Sequence, residues 1–363
     1  MCASAIAWRW SARAAFGKIS RCPASTAEAP RSSSARSCSG RSSFANCQSC
    51  WTAFARSRAR LPLCRTSGRA APGEKNRGRA PVSQQYQTTL QREVTFEGVG
   101  LHTGGRARVS LMPAVQGSGL SIRSGEDPFR PLTSDLVAET VRATTIDVGG
   151  RTISTVEHLL SAILGMGLDN VAITVEGGEI PVMDGSAALF AEAIAGAGLV
   201  TQSAPRRRFV AIAPSYYRDG DRLLIVLPAS SFRIRFTVDF EQPVGSQYFA
   251  GEITPKAYLR EIAPARTFGW LHEVEALLAR GLARGGSLDN AVVYDENGPV
   301  NELRFENEAV RHKVLDLVGD FALLGAYPQC EIVSFKSGHR LHAVAVADLR
   351  HTLTSGDSAI AYP

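Results

Sequence analysis

The chain has 363 residues with 40 Lys and Arg against 34 Asp and Glu, but its first 80 residues hold 15 of the basic and only two of the acidic side chains. Positions 81–363 are therefore acidic, which argues against a nucleic-acid-binding face, and they contain a single cysteine, Cys330, which excludes an internal disulfide. No apolar run reaches the roughly 18 residues that a transmembrane helix needs.

Residues 1–84 are rich in Arg, Ser and Ala and poor in acids, a composition typical of an organellar transit peptide. The early apolar stretch at residues 5–8 is interrupted by Arg9, too soon for a secretory signal. Cys47 and Cys50 have C-x-x-C spacing, but no second Cys/His pair stands at zinc-finger spacing, so we interpret them as incidental. The folded body is predicted to begin at about residue 85.

Short β-branched or alternating segments predict the strands of the first half of the body. These strands cover residues 88–90, 94–96, 108–111 and 170–175. Apolar residues at helical spacing predict two helices, over residues 156–166 and 187–197. Residues 201–208 contain Pro205 and three arginines and predict a linker.

The second half repeats this pattern. Strands are predicted over residues 223–227, 232–238 and 331–335, and helices over residues 274–282 and 305–324. The simplest architecture is an α+β fold of two similar halves, each a sheet covered by helices, with domains at residues 85–204 and 205–363. A site between the halves is expected.

The common phosphate-binding and nucleophile motifs are absent from the sequence. It contains no GxGxxG after a strand, no GxxxxGK[ST] and no GxSxG. The glycine-rich segment 98–105 has the wrong spacing for a phosphate loop and predicts a turn, with a structural role for His102. Dinucleotide, P-loop and serine-hydrolase chemistry are therefore not indicated.

Three side chains on the helix predicted over residues 305–324 indicate metal chemistry. His312 and Asp316 fall at i and i+4, so they project from neighbouring turns and can bind one metal ion. Asp320 lies roughly 12 Å further along the axis than His312, which favours a role behind the ligands or in a proton relay. The alternative is an ordinary hydrogen-bonded i, i+4 pair, because two ligands do not define a site.

His158 is the best candidate for a third ligand, because Glu157 precedes it. Neighbouring helix positions differ by about 100°, which keeps Glu157 off the metal but lets it reach a water, as in HExxH hydrolases. Two histidines and one aspartate with an open fourth position suit a catalytic zinc. The alternatives are a capping box between Ser154 and Glu157 and a structural His158.

Two further residues could assist acyl transfer. His339 follows the predicted strand 331–335 and is by itself a loop histidine; near the site it could protonate a leaving amine, with Asp320 orienting it and raising its pKa. Thr267 offers a hydroxyl to an oxyanion. Its alternative role is a strand-end threonine bonded to its own backbone.

Taken together, six motifs resemble the zinc-dependent UDP-3-O-acyl-N-acetylglucosamine deacetylases of lipid A synthesis. The likeness spans about residues 85–347. The motifs are GVGLHTG at 98–104, STVEHL at 154–159, EIPVMDGS at 179–186, ARTFG at 265–269, RHK at 311–313 with Asp316, and KSGH at 336–339.

This resemblance implies the fold, the cofactor and the site residues. It implies two β-α-α-β sandwich domains with the active site between them, and an inserted β-α-β unit at about residues 268–300 whose helix lines a passage for the acyl chain. The implied roles are Zn²⁺ ligation by His158, His312 and Asp316, general base for Glu157, general acid for His339 with Asp320 behind it, oxyanion contact for Thr267, and substrate contact for Phe268 and Lys313.

The resemblance also implies a partner and a location. The partner is a UDP-linked, acylated amino sugar, with no nucleic acid, and we expect a monomer. Residues 1–84 indicate a plant or algal homologue sent to the mitochondrion, with the plastid as the alternative. Two other functions stay open: a zinc amidohydrolase acting on another acylated amino sugar, and a non-catalytic lipid- or nucleotide-binding homologue.

Overall fold

The computed structural model of the chain describes residues 85–355. The predicted transit peptide at residues 1–84 lies outside the described residues. Within residues 85–355 the fold is mixed α/β, with several sheets and six α-helices. None of these helices combines the length and apolar character that crossing a membrane requires.

Nineteen strands and one short 3-10 helix (Ser134–Leu136) occur in the described chain. In chain order the strands are β1 (Tyr86–Leu90), β2 (Val94–Val99), β3 (Arg106–Pro113), β4 (Leu120–Ser124), β5 (Arg130–Pro131), β6 (Val137–Glu139), β7 (Thr145–Asp147), β8 (Thr152–Ile153), β9 (Val171–Glu176), β10 (Leu199–Pro205), β11 (Arg208–Val210), β12 (Ser215–Asp219), β13 (Arg222–Pro228), β14 (Arg233–Asp239), β15 (Ser246–Glu252), β16 (Phe268–Trp270), β17 (Val292–Asp295), β18 (Gly298–Pro299) and β19 (Tyr327–Phe335).

The described residues contain six α-helices. They are α1 (Glu157–Gly165), α2 (Ala188–Ala197), α3 (Pro255–Glu261), α4 (Leu271–Ala279), α5 (Glu308–Ala322) and α6 (His339–Ser355).

Two sheets have the same strand arrangement. One has the order β2-β3-β9-β4-β5, and the other has the order β12-β13-β19-β14-β15 with β11 also paired to β19. In each sheet the last strand in sequence lies in the centre, antiparallel to one neighbour and parallel to the other. The two halves of the body are therefore similar in topology, as their sequence patterns indicate; the division into domains at residue 204 stays a prediction.

Helices α1 and α5 pack directly against each other, and this contact organises the centre of the molecule. Helix α2 contacts β2, where Phe96 and Phe190 pack edge to face, while α5 and α6 contact the strands of the second sheet. One continuous apolar core includes residues of both sheets and of these helices. Within this core α1 lies beside α5.

A glycine allows α1 and α5 to approach closely. A Cβ at Gly319, near the C-terminal end of α5, would overlap the backbone carbonyl of Glu157 at the start of α1. Only a residue without a side chain fits there. The first turn of α1 therefore lies against the face of α5 that carries Asp316 and Asp320.

Two local predictions were wrong. Residues 201–205 belong to β10, which pairs with β1, instead of a linker; the following Arg206 is buried and bonds Asp169. His339 is the first residue of α6 instead of a loop residue. Leu341, Ala345 and Leu349 give α6 a buried stripe at i, i+4 spacing, and this pattern carried the missing signal.

Candidate metal centre and active site

The side chains of His158, His312 and Asp316 converge between α1 and α5. Asp316 Oδ1 lies 3.4 Å from His312 Nε2 and 3.8 Å from His158 Nε2. All three residues are buried. Three potential ligand atoms from two different helices thus face one point.

These residues fit a divalent metal ion. Two ligands about 2.0–2.1 Å from a tetrahedral centre lie roughly 3.3 Å apart, close to the spacing observed here. The donor set of two imidazole nitrogens and one carboxylate oxygen is one that zinc accepts in catalytic sites. His312 Nδ1 donates to the Ala265 carbonyl at 3.1 Å, which leaves the Nε2 lone pair directed at the site.

The protonation states of the three residues also favour metal binding. Burial lowers the pKa of His158 to about 3, with His312 adding to the effect, and burial lowers the pKa of His312 as well. Burial acts to raise the pKa of Asp316, but Lys313, whose Nζ lies 2.6 Å from Asp316 Oδ2, and the neighbouring His312, His339 and His158 together outweigh it and hold this pKa well below its usual range. Metal ligands must be unprotonated, and these side chains are so at neutral pH.

Glu157 differs from the other carboxylates of the site. Its side chain is buried, and its Oε2 accepts a hydrogen bond from the Thr144 backbone N–H at 3.1 Å. Burial raises the pKa of Glu157 to about 8, with Asp316 and Asp320 adding to the shift and His339 opposing it. This carboxyl group is suited to exchange a proton near neutral pH.

The capping-box alternative for Glu157 was wrong. No side chain caps the start of α1, and Ser154 Oγ lies 2.9 Å from Thr145 Oγ1. Glu157 therefore faces the site and not the end of its own helix.

His339 and Asp320 form a buried pair next to Glu157. His339 Nδ1 lies 2.9 Å from Asp320 Oδ2, while its Nε2 lies 3.8 Å from Glu157 Oε1. Burial acts to lower the pKa of His339, but the carboxylates of Asp320, Glu157 and Asp316, with Asp320 the strongest of them, together outweigh it and raise this pKa to about 9. His339 therefore carries a proton at neutral pH, and its Nε2–H points toward Glu157 and Asp316.

Within residues 85–355, two other groups of three residues have potential ligand atoms within 4.8 Å of one another. One contains Asp320, His339 and His342, and the other contains Glu157, Asp316 and His339. Both depend on His339, which is held protonated by Asp320 and so lacks the free lone pair that a ligand needs. The set of His158, His312 and Asp316 is the better metal site.

A cavity of about 250 Å³ opens onto these groups. Thr267, Phe268 and Lys313 line it, and the Phe268 ring centroid lies 6.1 Å from that of His312. The structure therefore brings every residue proposed from the sequence to this cavity, except Asp320, which lies behind His339.

The cavity continues along one face of α4. Trp270, Val274 and Leu277 line it, whereas Leu271 is 40% exposed and does not. The helix that the resemblance implies as lining of the acyl passage thus has Val274 and Leu277 facing the cavity and Leu271 facing solvent. The cavity therefore joins a polar, titratable end to an apolar end.

Sequence reasoning missed two residues that support the site. Thr144 donates through its hydroxyl to Asp320 Oδ1 at 2.6 Å and through its backbone N–H to Glu157. Nothing in its local sequence distinguishes it. His342 lies 2.7 Å from Asp320 Oδ2 through its Nδ1, and its i+3 spacing from His339 would have identified it had α6 been predicted.

The glycine-rich segment 98–105 forms a turn, as predicted, around a buried carboxylate. Glu179 accepts hydrogen bonds from the backbone N–H groups of His102 and Thr103, both at 2.8 Å. A Cβ at Gly100 would overlap the Glu179 carboxylate. The turn places His102 at the wall of the cavity.

Known proteins are similar in sequence to this chain over most of the described residues. Residues 87–351 match the family UDP-3-O-acyl N-acetylglycosamine deacetylase, LpxC. The chain is 42% identical over 287 residues to a UDP-3-O-acyl-N-acetylglucosamine deacetylase of Syntrophotalea carbinolica, covering 76% of this chain and 93% of that protein.

Two further relatives carry the same name. The one from Anaeromyxobacter sp. is 45% identical over 264 residues, or 72% of this chain and 87% of the relative. The one from Oleidesulfovibrio alaskensis is 46% identical over 264 residues, or 70% of this chain and 86% of the relative. The chain belongs to the LpxC family of UDP-3-O-acyl N-acetylglycosamine deacetylases.

Proposed function

We propose that this chain is a zinc-dependent deacetylase that hydrolyses the N-acetyl group of UDP-3-O-acyl-N-acetylglucosamine and releases acetate, a step of lipid A-type biosynthesis. One observation carries the proposal: the ligand atoms of His158, His312 and Asp316 converge beside Glu157 and His339 in a single cavity. Relatives that are 42%, 45% and 46% identical are named for this activity.

His158, His312 and Asp316 would hold the zinc ion. When bound, zinc acts as a Lewis acid that polarises a carbonyl oxygen and makes water more acidic. Lys313 keeps Asp316 ionised, and the Ala265 carbonyl orients the ring of His312. These two contacts keep Asp316 and His312 in the protonation state and orientation that metal binding requires.

Glu157 and His339 move the protons of the reaction. Hydrolysis adds the oxygen of water to the acetyl carbon and breaks the bond between that carbon and nitrogen. Glu157 accepts the proton that the water gives up, and His339 donates a proton to the departing nitrogen. The 3.8 Å between His339 Nε2 and Glu157 Oε1 leaves both groups facing the same reacting atoms.

The walls of the cavity bind the rest of the substrate. The hydroxyl of Thr267 assists the developing oxyanion, and Phe268 and Lys313 contact the sugar and its substituents. The apolar face of α4, with Val274 and Leu277, takes the 3-O-acyl chain together with Trp270 at the end of β16. An apolar passage next to a few polar groups is the usual form of a site for such an amphipathic ligand.

Zinc content and acetate release by the purified chain test the proposal. We expect one zinc ion per chain and acetate release from UDP-3-O-acyl-N-acetylglucosamine, and His158→Ala should lose both together. Normal turnover by His158→Ala would contradict the ligand assignment. Release from other acylated amino sugars but not from this one would favour a different amidohydrolase, and absence of any turnover would favour a binding protein.

We further propose that residues 1–84 direct import into an organelle. We expect this organelle to be the mitochondrion, with the plastid as the alternative. Their Arg- and Ser-rich, acid-poor composition supports this. A fluorescent protein fused behind these residues should accumulate in mitochondria of plant or algal cells. A cytosolic signal would contradict the import proposal.

A further inference from the structure

His342 is a buried histidine outside the cavity that the proposed mechanism does not use. It lies three residues after His339 in α6, its side chain is 0% exposed, and it does not line the cavity. Its Nδ1 lies 2.7 Å from Asp320 Oδ2, and its Nε2 lies 2.7 Å from Ser337 Oγ. Both nitrogens of the ring are therefore engaged.

The donor and acceptor of each hydrogen bond around His342 follow from the ionisation of Asp320. Asp320 is ionised and can only accept, so the proton of His342 is on Nδ1 and Nε2 accepts from the Ser337 hydroxyl. Ser337 Oγ in turn lies 2.5 Å from Ser334 Oγ, which can donate to it. The chain Ser334, Ser337, His342, Asp320 thus fixes one tautomer of His342.

Asp320 has three donors that set its orientation. Thr144 donates to Oδ1 at 2.6 Å, and His339 and His342 share Oδ2 at 2.9 and 2.7 Å. The bond from His342 is the shorter of the two to Oδ2, and it comes from a ring that cannot move because Ser337 holds its other end. The carboxylate that orients His339 is therefore itself held in place from behind.

We propose that His342 is a positioning residue for the deacetylation reaction, which fixes the Asp320 carboxylate so that His339 Nε2 faces the reacting atoms. This inference rests on the proposed function. His342 touches no substrate and acts only through Asp320. Its loss leaves Asp320 Oδ2 bonded to His339 alone, so that the carboxylate can shift and carry His339 with it. A misplacement of about 1 Å can reduce turnover by two orders of magnitude.

Two substitutions separate this role from simple core packing. In His342→Asn the amide nitrogen occupies the place of Nδ1 and can still donate to Asp320, while the contact with Ser337 is lost. In His342→Gln the amide reaches the place of Nε2, keeps the contact with Ser337, and puts a methylene opposite Asp320. Both variants replace a buried ring by a smaller polar group. A purely structural role for His342 therefore predicts similar losses of kcat and of thermal stability in the two variants.

Steady-state kinetics of the zinc-loaded full chain, with thermal midpoints and zinc content for each variant, test the proposal. We expect His342→Asn to keep kcat within about threefold of the wild type, and His342→Gln to lower kcat by roughly tenfold or more with KM nearly unchanged. Equal kcat values for the two variants, or a loss confined to KM, would overturn the positioning role. Should the Gln variant not fold, a tenfold loss of kcat in the Asn variant would overturn it.

The wild-type rate distinguishes this inference from the function on which it rests. Acetate release by the wild type with full activity in His342→Gln would reject the positioning role alone. No acetate release by the zinc-loaded wild type would reject the proposed function, and the positioning role with it.

Discussion

Glu157, Asp316 and Asp320 lie within one buried cluster, yet their environments give them different proton affinities. Lys313 Nζ contacts Asp316 at 2.6 Å, and Asp320 accepts from Thr144, His339 and His342. Burial acts to raise the pKa of Asp320, but His339 and His342 outweigh it and lower this pKa to about 2. Glu157 receives only one backbone hydrogen bond and no lysine. Burial therefore dominates at Glu157, which suits it to accept a proton.

Replacing Glu157 by Gln should abolish most turnover without releasing the metal. The amide keeps the size of the side chain but cannot accept a proton, and loss of general acid–base catalysis typically costs about 10²–10⁴ in rate. Acetate release and zinc content of the same preparation check this. Loss of zinc in Glu157→Gln would show that Glu157 is a ligand and contradict its assignment as base.

The pH profile of kcat/KM should be a bell. Glu157 must be unprotonated, so activity rises with pH through its pKa, and His339 must be protonated, so activity falls as pH rises through its pKa. These pKa values are about 8 and about 9 for the side chains alone, and the positive charge of a bound zinc ion lowers both. We therefore expect the ascending limb of the profile below about pH 8 and the descending limb below about pH 9.

Asp320→Asn should move the descending limb of this profile to lower pH. The Asp320 carboxylate is the main group that raises the pKa of His339, and an amide at this position removes its charge. The ascending limb should move less. A descending limb that stays in place in Asp320→Asn would contradict the assignment of that limb to His339.

At the scale of elements, the site depends on how closely α1 and α5 approach. Helix α1 supplies Glu157 and His158, and α5 supplies His312 and Asp316. The bare Cα of Gly319 allows the contact at the backbone of Glu157. A small separation of these helices would therefore pull the ligand set apart.

Gly319→Ala should weaken both stability and zinc binding. The new Cβ overlaps the Glu157 carbonyl, and overpacking of this kind typically costs about 1–3 kcal/mol. Thermal unfolding and zinc titration measure the two effects. Gly196→Ala is the matched control, because Gly196 lies in α2 with nothing within 4 Å of a Cβ; it should stabilise the chain slightly. Equal thermal midpoints for the two variants would contradict the role of Gly319.

At the level of the entire fold, two sheets of the same topology share one apolar core with the helices that carry the site. The segment from β16 to β18 adds a three-stranded sheet, and α4 follows β16 directly. Phe240, Phe268, Trp270 and Tyr294 form an edge-to-face aromatic cluster beside the cavity. The apolar end of the cavity is thus built by this segment, while the metal-binding end is built by the central helices.

Val274→Trp should reduce activity more for long 3-O-acyl chains than for short ones. Val274 lines the cavity, so a larger side chain there fills the space proposed for the acyl chain. The ratio of kcat/KM for a long-chain to a short-chain substrate measures the effect. Glu275→Trp is the control, because Glu275 is exposed on the same helix and does not line the cavity. An unchanged ratio in Val274→Trp would contradict the proposed passage.

Local sequence patterns predicted many of the elements and the residues of the candidate site, although they missed β10 and α6. Helical periodicity put His312, Asp316 and Asp320 along one helix, and the adjacency of Glu157 and His158 fixed their relation, because both depend only on local backbone geometry. The six motifs in order identified the family, which residues 87–351 match.

The surroundings of those residues follow from contacts between segments that are far apart in sequence. Thr144 bonds Asp320 across 176 positions of sequence, and no local pattern records such a contact. The protonation of Glu157 and His339 depends on burial and on charges brought from other helices, and the approach of α1 to α5 depends on a glycine whose neighbour is 162 residues away in sequence (157 against 319). Periodicity fixes which face a side chain takes, whereas packing between distant segments fixes what that face meets.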